Sequence, residues 1–279
     1  MKRIITKRIL CSLCAALLLC LLGCDSNTPD PKPSSTVPKN TKTVFVHTSI
    51  TQNSANMDAR TEYIYDENDL LKEVIQYSGT IQTRLYQVEN DENGNFTRWH
   101  CAVGSTDLAI DYEYDAEGHS TSTAYYQNGE LMTSLRYTYE EGFRTAMVST
   151  MPAQNSESRT EYTYNSQGAM VRQDQFVNGS LSRYGICSTD EQQRLVKIAF
   201  YLPSGTPDAT AVYTYDGLTQ TCVLIDGIST VLSKTVTTYD EFGNLLQVQA
   251  FDASGALVST ETHTWKAIEV PLDCPRASV

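Results

Sequence analysis

The chain repeats one short pattern along most of its length, and this pattern restricts the possible folds more than any other feature. The segment TEYTYNSQG, which begins at Thr160, has near-copies in TEYIYDEND from Thr61, DYEYDAEGH from Asp111 and AVYTYDGL from Ala211. We define the anchor of each repeat as the residue that follows its second aromatic position. The anchors are Asp66, Asp91, Asp115, Glu140, Asn165, Asp190, Asp216 and Asp240, with spacings of 25, 24, 25, 25, 25, 26 and 24 residues. Such regular spacing indicates an internal repeat.

Each repeat has the parts of a β-hairpin. Two tyrosines alternate with polar residues ahead of the anchor, and period two places both rings on one face of a strand. An Asp or Asn anchor can bond its own backbone two residues on, and a following glycine supplies a positive φ. An apolar residue such as Leu71 begins the second strand, and the even offset to Tyr77 predicts that both share a face. Pairs such as Asn128-Gly129 then close the unit.

The expected fold class is therefore all-β, with antiparallel β-hairpin repeats of about 25 residues forming a long twisted or curled sheet. Eight repeats, a leading strand near Thr43–His47 and a closing strand near Thr260–Trp265 predict about 17 strands in sequence order. A single flat sheet of this length would expose too much apolar surface, so it should curl into a half-shell or close into a barrel. Either arrangement would place the tyrosine rows inside, where their hydroxyls need partners or water.

The Tyr-x-Tyr-Asp-x-x-Gly pattern resembles the YD repeats of the RHS family of bacterial surface and secreted proteins, over about residues 61–265. Two features depart from that family. The Gly-Arg-Leu after the turn is absent, with Gly243-Asn-Leu245 and Gln193-Arg-Leu195 nearest to it, and the repeats run somewhat long. RHS proteins wind such repeats into a hollow shell around a C-terminal toxin. The resemblance implies the hairpin repeat, whereas the short chain and its ending KAIEVPLDCPRASV do not suggest a toxin domain.

The first residues, MKRIITKRILCSLCAALLLCLLGC, are typical of a bacterial export signal, with a basic start and an apolar run too short for an ordinary membrane span. The run ends on Leu21-Leu22-Gly23-Cys24, which resembles the lipobox of bacterial lipoproteins, so Cys24 is the expected lipid-bearing residue. A plain secretory signal is the alternative. We expect a signal peptide over 1–23, a lipidated disordered tether over 24–42, a repeat domain over 43–266 and a tail over 267–279.

Net charge and cysteine content restrict the classes of partner and metal site that the protein is expected to have. Residues 1–23 contain four basic and no acidic residues, so their removal changes the net charge from -12 to -16. Such an acidic domain argues against nucleic acid as a partner. The cysteines that remain beyond Cys24 are Cys101, Cys187, Cys222 and Cys274, and their wide spacing indicates neither a zinc site nor a redox pair. An exported location permits disulfides, but their pairing cannot be read from the sequence.

The sequence contains few signs of catalysis. The histidines His47, His100, His119 and His263 are scattered, and no nucleophile elbow, P-loop or HExxH motif occurs. The acidic residues fall mostly at turn positions, and Asp91–Asn95 and Asp66–Asp69 fit ordinary turns better than calcium loops. We therefore expect no enzyme activity, no cofactor and no metal.

A binding role remains, because tyrosines on a curved sheet can stack on sugar rings or pack against a protein, although they can equally be the core of the repeat. The expected function is a lipid-anchored scaffold of the cell envelope for an extended protein or polysaccharide, held on a cell membrane or outer membrane through Cys24. The alternatives are an envelope enzyme acting on glycans and an accessory or immunity factor of an RHS-like system. The candidate binding face consists of Tyr63, Tyr65, Tyr112, Tyr114, Tyr137, Tyr139, Tyr162, Tyr164, Tyr213 and Tyr215.

Overall fold

The computed structural model describes residues 41–55 and 57–271, which form eighteen β-strands and one short 3-10 helix at Pro152–Gln154. The predicted count of about 17 strands is one short of this number. The strands are β1 Thr41–Ser54, β2 Met57–Tyr65, β3 Leu71–Ser78, β4 Ile81–Asn90, β5 Phe96–Val103, β6 Thr106–Tyr114, β7 Ser120–Gln127, β8 Glu130–Glu140, β9 Phe143–Met151, β10 Ser156–Tyr164, β11 Met170–Val177, β12 Ser180–Thr189, β13 Leu195–Tyr201, β14 Pro207–Asp216, β15 Thr219–Asp226, β16 Val231–Tyr239, β17 Leu245–Phe251 and β18 Leu257–Pro271.

The sheet closes on itself. Every strand pairs antiparallel with the next one in the chain, and β1 pairs both with β2 and with β18. The result is a closed eighteen-stranded barrel of hairpin repeats, which confirms the all-β prediction and decides between a half-shell and a barrel. The ladder between β1 and β18 runs from Thr41 opposite Pro271 to Ser54 opposite Ser259, so strand structure extends beyond both ends of the expected repeat domain.

The anchors build the turns at one end of the barrel. At Asp91, the carboxylate Oδ1 accepts the backbone N–H groups of Asn93 at 2.9 Å and of Asn95 at 2.8 Å. Gly94 adopts φ 83° and donates its N–H to the carbonyl of Asp91. The same carboxylate or amide contacts recur at Asp66, Asp115, Asn165, Asp190 and Asp240. The predicted Asp- and Asn-initiated turns are confirmed.

A register shift accompanies most of these turns and corrects one prediction. In the first repeat, Ile64 lies opposite Glu73 and Tyr65 lies opposite Leu71, so Lys72 is an extra residue. This bulge reverses the direction of the side chains that follow it. Leu71 is buried in the barrel, whereas Tyr77 lies outside with the Arg60 guanidinium 4.4 Å from its ring centre. The prediction that Leu71 and Tyr77 share a face was therefore wrong.

The tyrosine face is the inner face of the barrel. The rings of Tyr63 on β2 and Trp99 on β5 approach to 6.2 Å although two strands lie between them, so the sheet curves toward this face. Two hydrophobic clusters lie on opposite sides of the barrel interior. The aromatic cluster on β3–β5 consists of Leu71, Val74, Tyr86, Phe96, Trp99 and Cys101, and the small-residue cluster on β13–β14 consists of Ile198, Phe200, Ala209, Ala211 and Tyr213.

The outer face carries both charged and aromatic side chains. Arginine and carboxylate side chains pair along the middle of several strands rather than only at the turns. These pairs are Arg60–Glu62, Arg98–Asp111, Arg159–Glu161 and Arg172–Asp174. Within the described residues, no helix has the length and apolar character needed to cross a membrane.

Candidate functional site

All ten tyrosines of the candidate binding face lie on the inner wall, but they have different surroundings. Tyr63, Tyr65 and Tyr112 pack against the aromatic cluster, and the Tyr114 ring lies 6.2 Å from its member Phe96. Tyr213 and Tyr215 belong to or pack against the small-residue cluster. Those on β8 and β10 lie between the two clusters and remain partly exposed: Tyr137, Tyr139, Tyr162 and Tyr164. A ligand of the tyrosine rows would therefore have to reach the inside of the barrel or its rim.

The second tyrosine of a pair has a structural role that the sequence did not indicate. Its hydroxyl donates to a backbone carbonyl about one repeat earlier, as from Tyr164 to Arg144 at 2.9 Å and from Tyr215 to Leu195 at 2.9 Å. Each bond links consecutive repeats near the anchor turns. Equivalent bonds run from Tyr65 to His47, from the Asn90 amide to Leu71 and from the Trp265 indole to Leu245.

Burial sets the charge state of the inner hydroxyls. Desolvation, and then the nearby Glu261 carboxylate, raise the pKa of Tyr63 to about 12. Desolvation likewise raises the pKa of Tyr112 and that of Tyr162, with Arg144 acting in the opposite direction on Tyr162. Tyr63, Tyr112 and Tyr162 are therefore neutral hydrogen-bonding groups at physiological pH, not phenolates.

One place brings this aromatic row to the surface. At the anchor-turn end, Tyr139 lines an open groove of about 360 Å³ together with His119 and Gly142. The rings of His119 and Tyr139 stack at 4.8 Å with an interplanar angle of 19°. The groove is acidic, because the remaining lining residues are Asp115, Glu117 and Glu141.

Asp115 and His119 are partners in this groove. The His119 ring Nδ1 lies 2.9 Å from Asp115 Oδ2, and its backbone N–H donates to Asp115 Oδ1 at 2.8 Å. Burial acts to raise the pKa of Asp115, but these hydrogen bonds outweigh it and lower the pKa. Asp115 is therefore ionised at neutral pH. Asp115, Glu117 and His119 each offer one metal-ligand atom within 4.8 Å of one another, the one such group of three in the described ranges.

In the sequence the histidines are scattered, but in the structure each of them has a polar partner. His100 lies 2.6 Å from Asp107, and His47 and His263 lie 3.1 Å apart although 216 residues separate them. One signal could have shown where His263 lies, though not its partner. His263 and Trp265 occupy the Tyr-x-Tyr positions of the closing strand, which places His263 on the inner face.

Cys101 and Cys187 are free thiols. Burial raises the pKa of Cys187 to about 11, so this thiol is protonated and unreactive at neutral pH. The expected lipid site Cys24 and the fourth cysteine Cys274 lie outside the described residues.

One family model and several solved structures are similar to parts of this chain. A family model described as an uncharacterised protein matches residues 92–198. No curated protein matches the chain. The chain is similar to the TcdB2-TccC3-TEV structure, with a TM-score of 0.35 and 12% identity. The match covers 77% of this chain but only 15% of that one.

Two porin-like proteins are also similar. The one from Bacteroides uniformis has a TM-score of 0.31 and 11% identity over 79% of this chain and 96% of its own. The one from Bacteroides vulgatus has a TM-score of 0.35 and 9% identity over 79% of this chain and 98% of its own.

Proposed function

We propose that this protein is an exported β-barrel, lipid-anchored through Cys24, that binds an extended polysaccharide or protein in the cell envelope and is not an enzyme. Its location would be a cell membrane or outer membrane, outside the cytoplasm. The signal peptide over 1–23 would direct export and be removed. The tether, expected over 24–42 but ending before β1 begins at Thr41, would hold the barrel off the bilayer.

The outer wall supports the tether as the means of membrane attachment. A barrel that spans a membrane presents an apolar band to lipid, and arginine or lysine in the middle of that band costs about 2–4 kcal/mol each. Here the outward positions carry the pairs Arg98–Asp111 and Arg159–Glu161, with arginine side chains 42% exposed in both. Such a wall is suited to water, and the inner aromatic surface is the reverse of a water-filled pore lining.

The groove at Tyr139 is the observation that carries the binding proposal. Aromatic rings beside a few polar groups are typical of sites that hold small or extended ligands. Tyr139 and His119 supply flat rings, and Glu117 and Glu141 supply acceptors for hydroxyl groups. This combination favours a neutral or cationic polysaccharide over an anionic one, because the domain is strongly acidic.

The groove carboxylates also give a glycan-cleaving enzyme a specific basis. Such enzymes pair an ionised carboxylate with a second carboxyl whose pKa is raised. Hydrogen bonds lower the pKa of Asp115 on balance, against the effect of its burial, which suits the ionised role only. We therefore rank binding above cleavage. A role as accessory or immunity factor of an RHS-like system has only the repeat resemblance as its basis.

A glycan array tests this proposal and its rival together. We expect at least one neutral or cationic polysaccharide to bind unmodified. Tyr139→Ala should weaken its binding about fivefold, since an aromatic contact contributes roughly 1 kcal/mol. Tyr77→Ala, on the outer wall, is the matched control and should bind as the unaltered protein does. Shortened glycan products would support the enzyme instead, and equal loss in both variants would remove the groove from the proposal.

Lipid attachment has its own test. Cells grown with an alkyne-tagged fatty acid should label the full chain, and Cys24→Ala should abolish the label and release the protein from the membrane fraction. Cys274→Ala is the matched control and should retain the label. Labelling that persists in Cys24→Ala would contradict the proposed anchor.

A further inference from the structure

The first and last strands meet at an inward-facing chain of three side chains. His263 Nδ1 lies 3.1 Å from His47 Nε2, and His263 Nε2 lies 2.8 Å from Glu261 Oε1. His263 is only 7% exposed. The His263 ring is therefore largely shielded from water, although the Glu261 side chain is 35% exposed, and the bond to His47 joins β1 to β18 directly.

Aromatic rings surround the two imidazoles. The His47 ring stacks on Trp265 with centroids 3.6 Å apart and lies 5.7 Å from Tyr63 on β2. Within the described residues, the titratable side chains found against the pair are Glu261 on β18 and Tyr63 on β2. Tyr63 is neutral at physiological pH, because burial first and Glu261 second raise its pKa to about 12. Imidazole is the side chain whose charge commonly changes near physiological pH, so acid is expected to act on this cluster through its rings.

The hydrogen-bonded chain of His47, His263 and Glu261 can hold only a limited number of protons. A hydrogen bond between two imidazoles needs one N–H donor and one nitrogen lone pair as acceptor. With no added proton, His47 can donate to His263 while His263 donates to Glu261. With one added proton, His263 can donate to both neighbours. With two added protons, both facing nitrogens carry hydrogen, and two positive charges lie about 3 Å apart. The closed pair therefore accepts one proton but not two.

Beyond this pair, the start of β1 and the end of β18 form a separate two-stranded ribbon. A bulge lies between His47 and Ser49, and beyond it Thr41–His47 pairs only with Trp265–Pro271. The hydroxyl of Tyr65 donates to the carbonyl of His47 at 2.8 Å. One face of the ribbon is apolar and buried, with Tyr65 packed against Val44, Val46, Ile268 and Val270. Further polar contacts of the ribbon include Lys266 with Asp69, Thr43 with Glu269 and the Trp265 indole with the Leu245 carbonyl.

We propose that His47 and His263 form an acid-released clasp that holds this ribbon closed at neutral pH. The open ribbon can take up both protons and the closed one cannot, so the free energy of closing falls as pH falls through roughly 6. The bulge is the hinge. When the ribbon opens, its apolar face with Val44 and Ile268 becomes exposed. The pairing of Ser49–Ser54 with β2 and β18 keeps the barrel itself closed.

Hydrogen exchange on the purified full chain tests the clasp. After correction for the intrinsic effect of pH, amides of residues 41–47 and 265–271 should exchange about tenfold faster at about pH 5 than at about pH 7. Amides of residues 49–54 should change little. Equal protection of the ribbon at both pH values would overturn the proposal.

The stacked indole provides a second readout. Protonation of His47 should quench Trp265 emission, with a midpoint at roughly pH 6. His47→Gln and His263→Gln should abolish this titration and the pH dependence of ribbon exchange. His100→Gln is the matched control, because His100 pairs with Asp107 on the outer wall, and it should leave both unchanged. If a clasp variant fails to fold, exchange in the unaltered protein decides alone.

Discussion

The second and sixth repeats fill the same two inner positions with opposite choices of volume. Five residues before the anchor, the second repeat has Tyr86 and the sixth has Gly185. Eight residues after the anchor, the second has Trp99 and the sixth has Ile198. Both sets are buried, on opposite sides of the barrel. The repeat thus specifies strand direction and turn geometry but not side-chain volume, and each side of the barrel packs to its own local separation.

The comparison predicts that the aromatic cluster is most sensitive to loss of volume. Trp99→Ala should lower the free energy of unfolding by about 3–5 kcal/mol, because it leaves a cavity among Tyr86, Phe96 and Tyr112. Urea denaturation followed by circular dichroism measures this change. Thr97→Ala, in the same strand but on the outer wall, should cost less than about 1 kcal/mol. A similar loss for both variants would show that position 99 is not a packing centre.

The two clusters should also separate in alkaline solution. Folding raises the pKa of Tyr63 from 10.0 to about 12 through burial and then Glu261, and raises the pKa of Cys187 from 9.0 to about 11 through burial. A raised folded pKa stabilises the protein fully below the unfolded value, and this contribution is lost as pH rises toward the folded value. Stability should therefore fall from pH 9 upward, where Cys187 contributes, and further from pH 10 upward, where Tyr63 contributes, with about 2–3 kcal/mol from each of these two groups.

Urea midpoints measured between about pH 8 and 12 test these two windows. Cys187→Ala should reduce the earlier loss and leave the later one unchanged, and Tyr63→Phe should do the reverse. Part of each loss should remain, because burial also raises the pKa values of Cys101 and Tyr112. Identical pH curves for the two variants would contradict the assignment of separate groups to the two sides of the barrel.

The small-residue cluster should be most sensitive to added volume. A Cβ atom at Gly185 would lie 2.7 Å from Ile198 Cγ2 and 3.2 Å from Phe200 Cε1. Gly185→Ala should cost about 2 kcal/mol. Ile198→Ala removes the clashing atom, so the double variant should lose less stability than the sum of the two single changes. Simple additivity would show that Gly185 is not in steric contact with Ile198.

The smallest expected effect concerns the hydrogen bonds that join repeats on both sides. Tyr215→Phe removes the donor to the Leu195 carbonyl and should cost about 1 kcal/mol with the fold unchanged. Tyr201→Phe is the control, because its ring stacks on Tyr184 on the outer wall and the change preserves that contact. Thermal unfolding of the two variants separates these outcomes, and equal melting temperatures would assign the Tyr215 hydroxyl no stabilising role.

Local chemistry made much of the fold predictable. Asp91 and Gly94 form the turn that their residue types indicate, and the Tyr-x-Tyr segments form inner-facing strands. The bulge at Lys72 was not predictable in the same way, because it depends on pairing between two strands rather than on either strand alone. Closure depends on curvature summed over eighteen strands, which no single repeat encodes.

The candidate sites were harder to predict than the fold, because they depend on contacts between residues that are far apart in the sequence. The His47–His263 contact exists only because the sheet closes, and nothing in the sequence around either residue indicates its partner. The hydrogen bond from Tyr164 to the Arg144 carbonyl depends on the relative height of neighbouring strands. The groove at Tyr139 contains residues of two consecutive anchor turns, so it could be found only once their spatial neighbourhood was known.

The pairing of β1 with β18 has a consequence for how the molecule is assembled. Thr43 and Glu269 are 226 residues apart, so this contact closes one of the longest loops in the chain, and folds dominated by distant contacts form slowly. At typical rates of synthesis the terminal strand is completed on the order of ten to fifty seconds after the leading one. During that interval each unfinished molecule carries two unsatisfied sheet edges, and a second unfinished copy offers a complementary match to both.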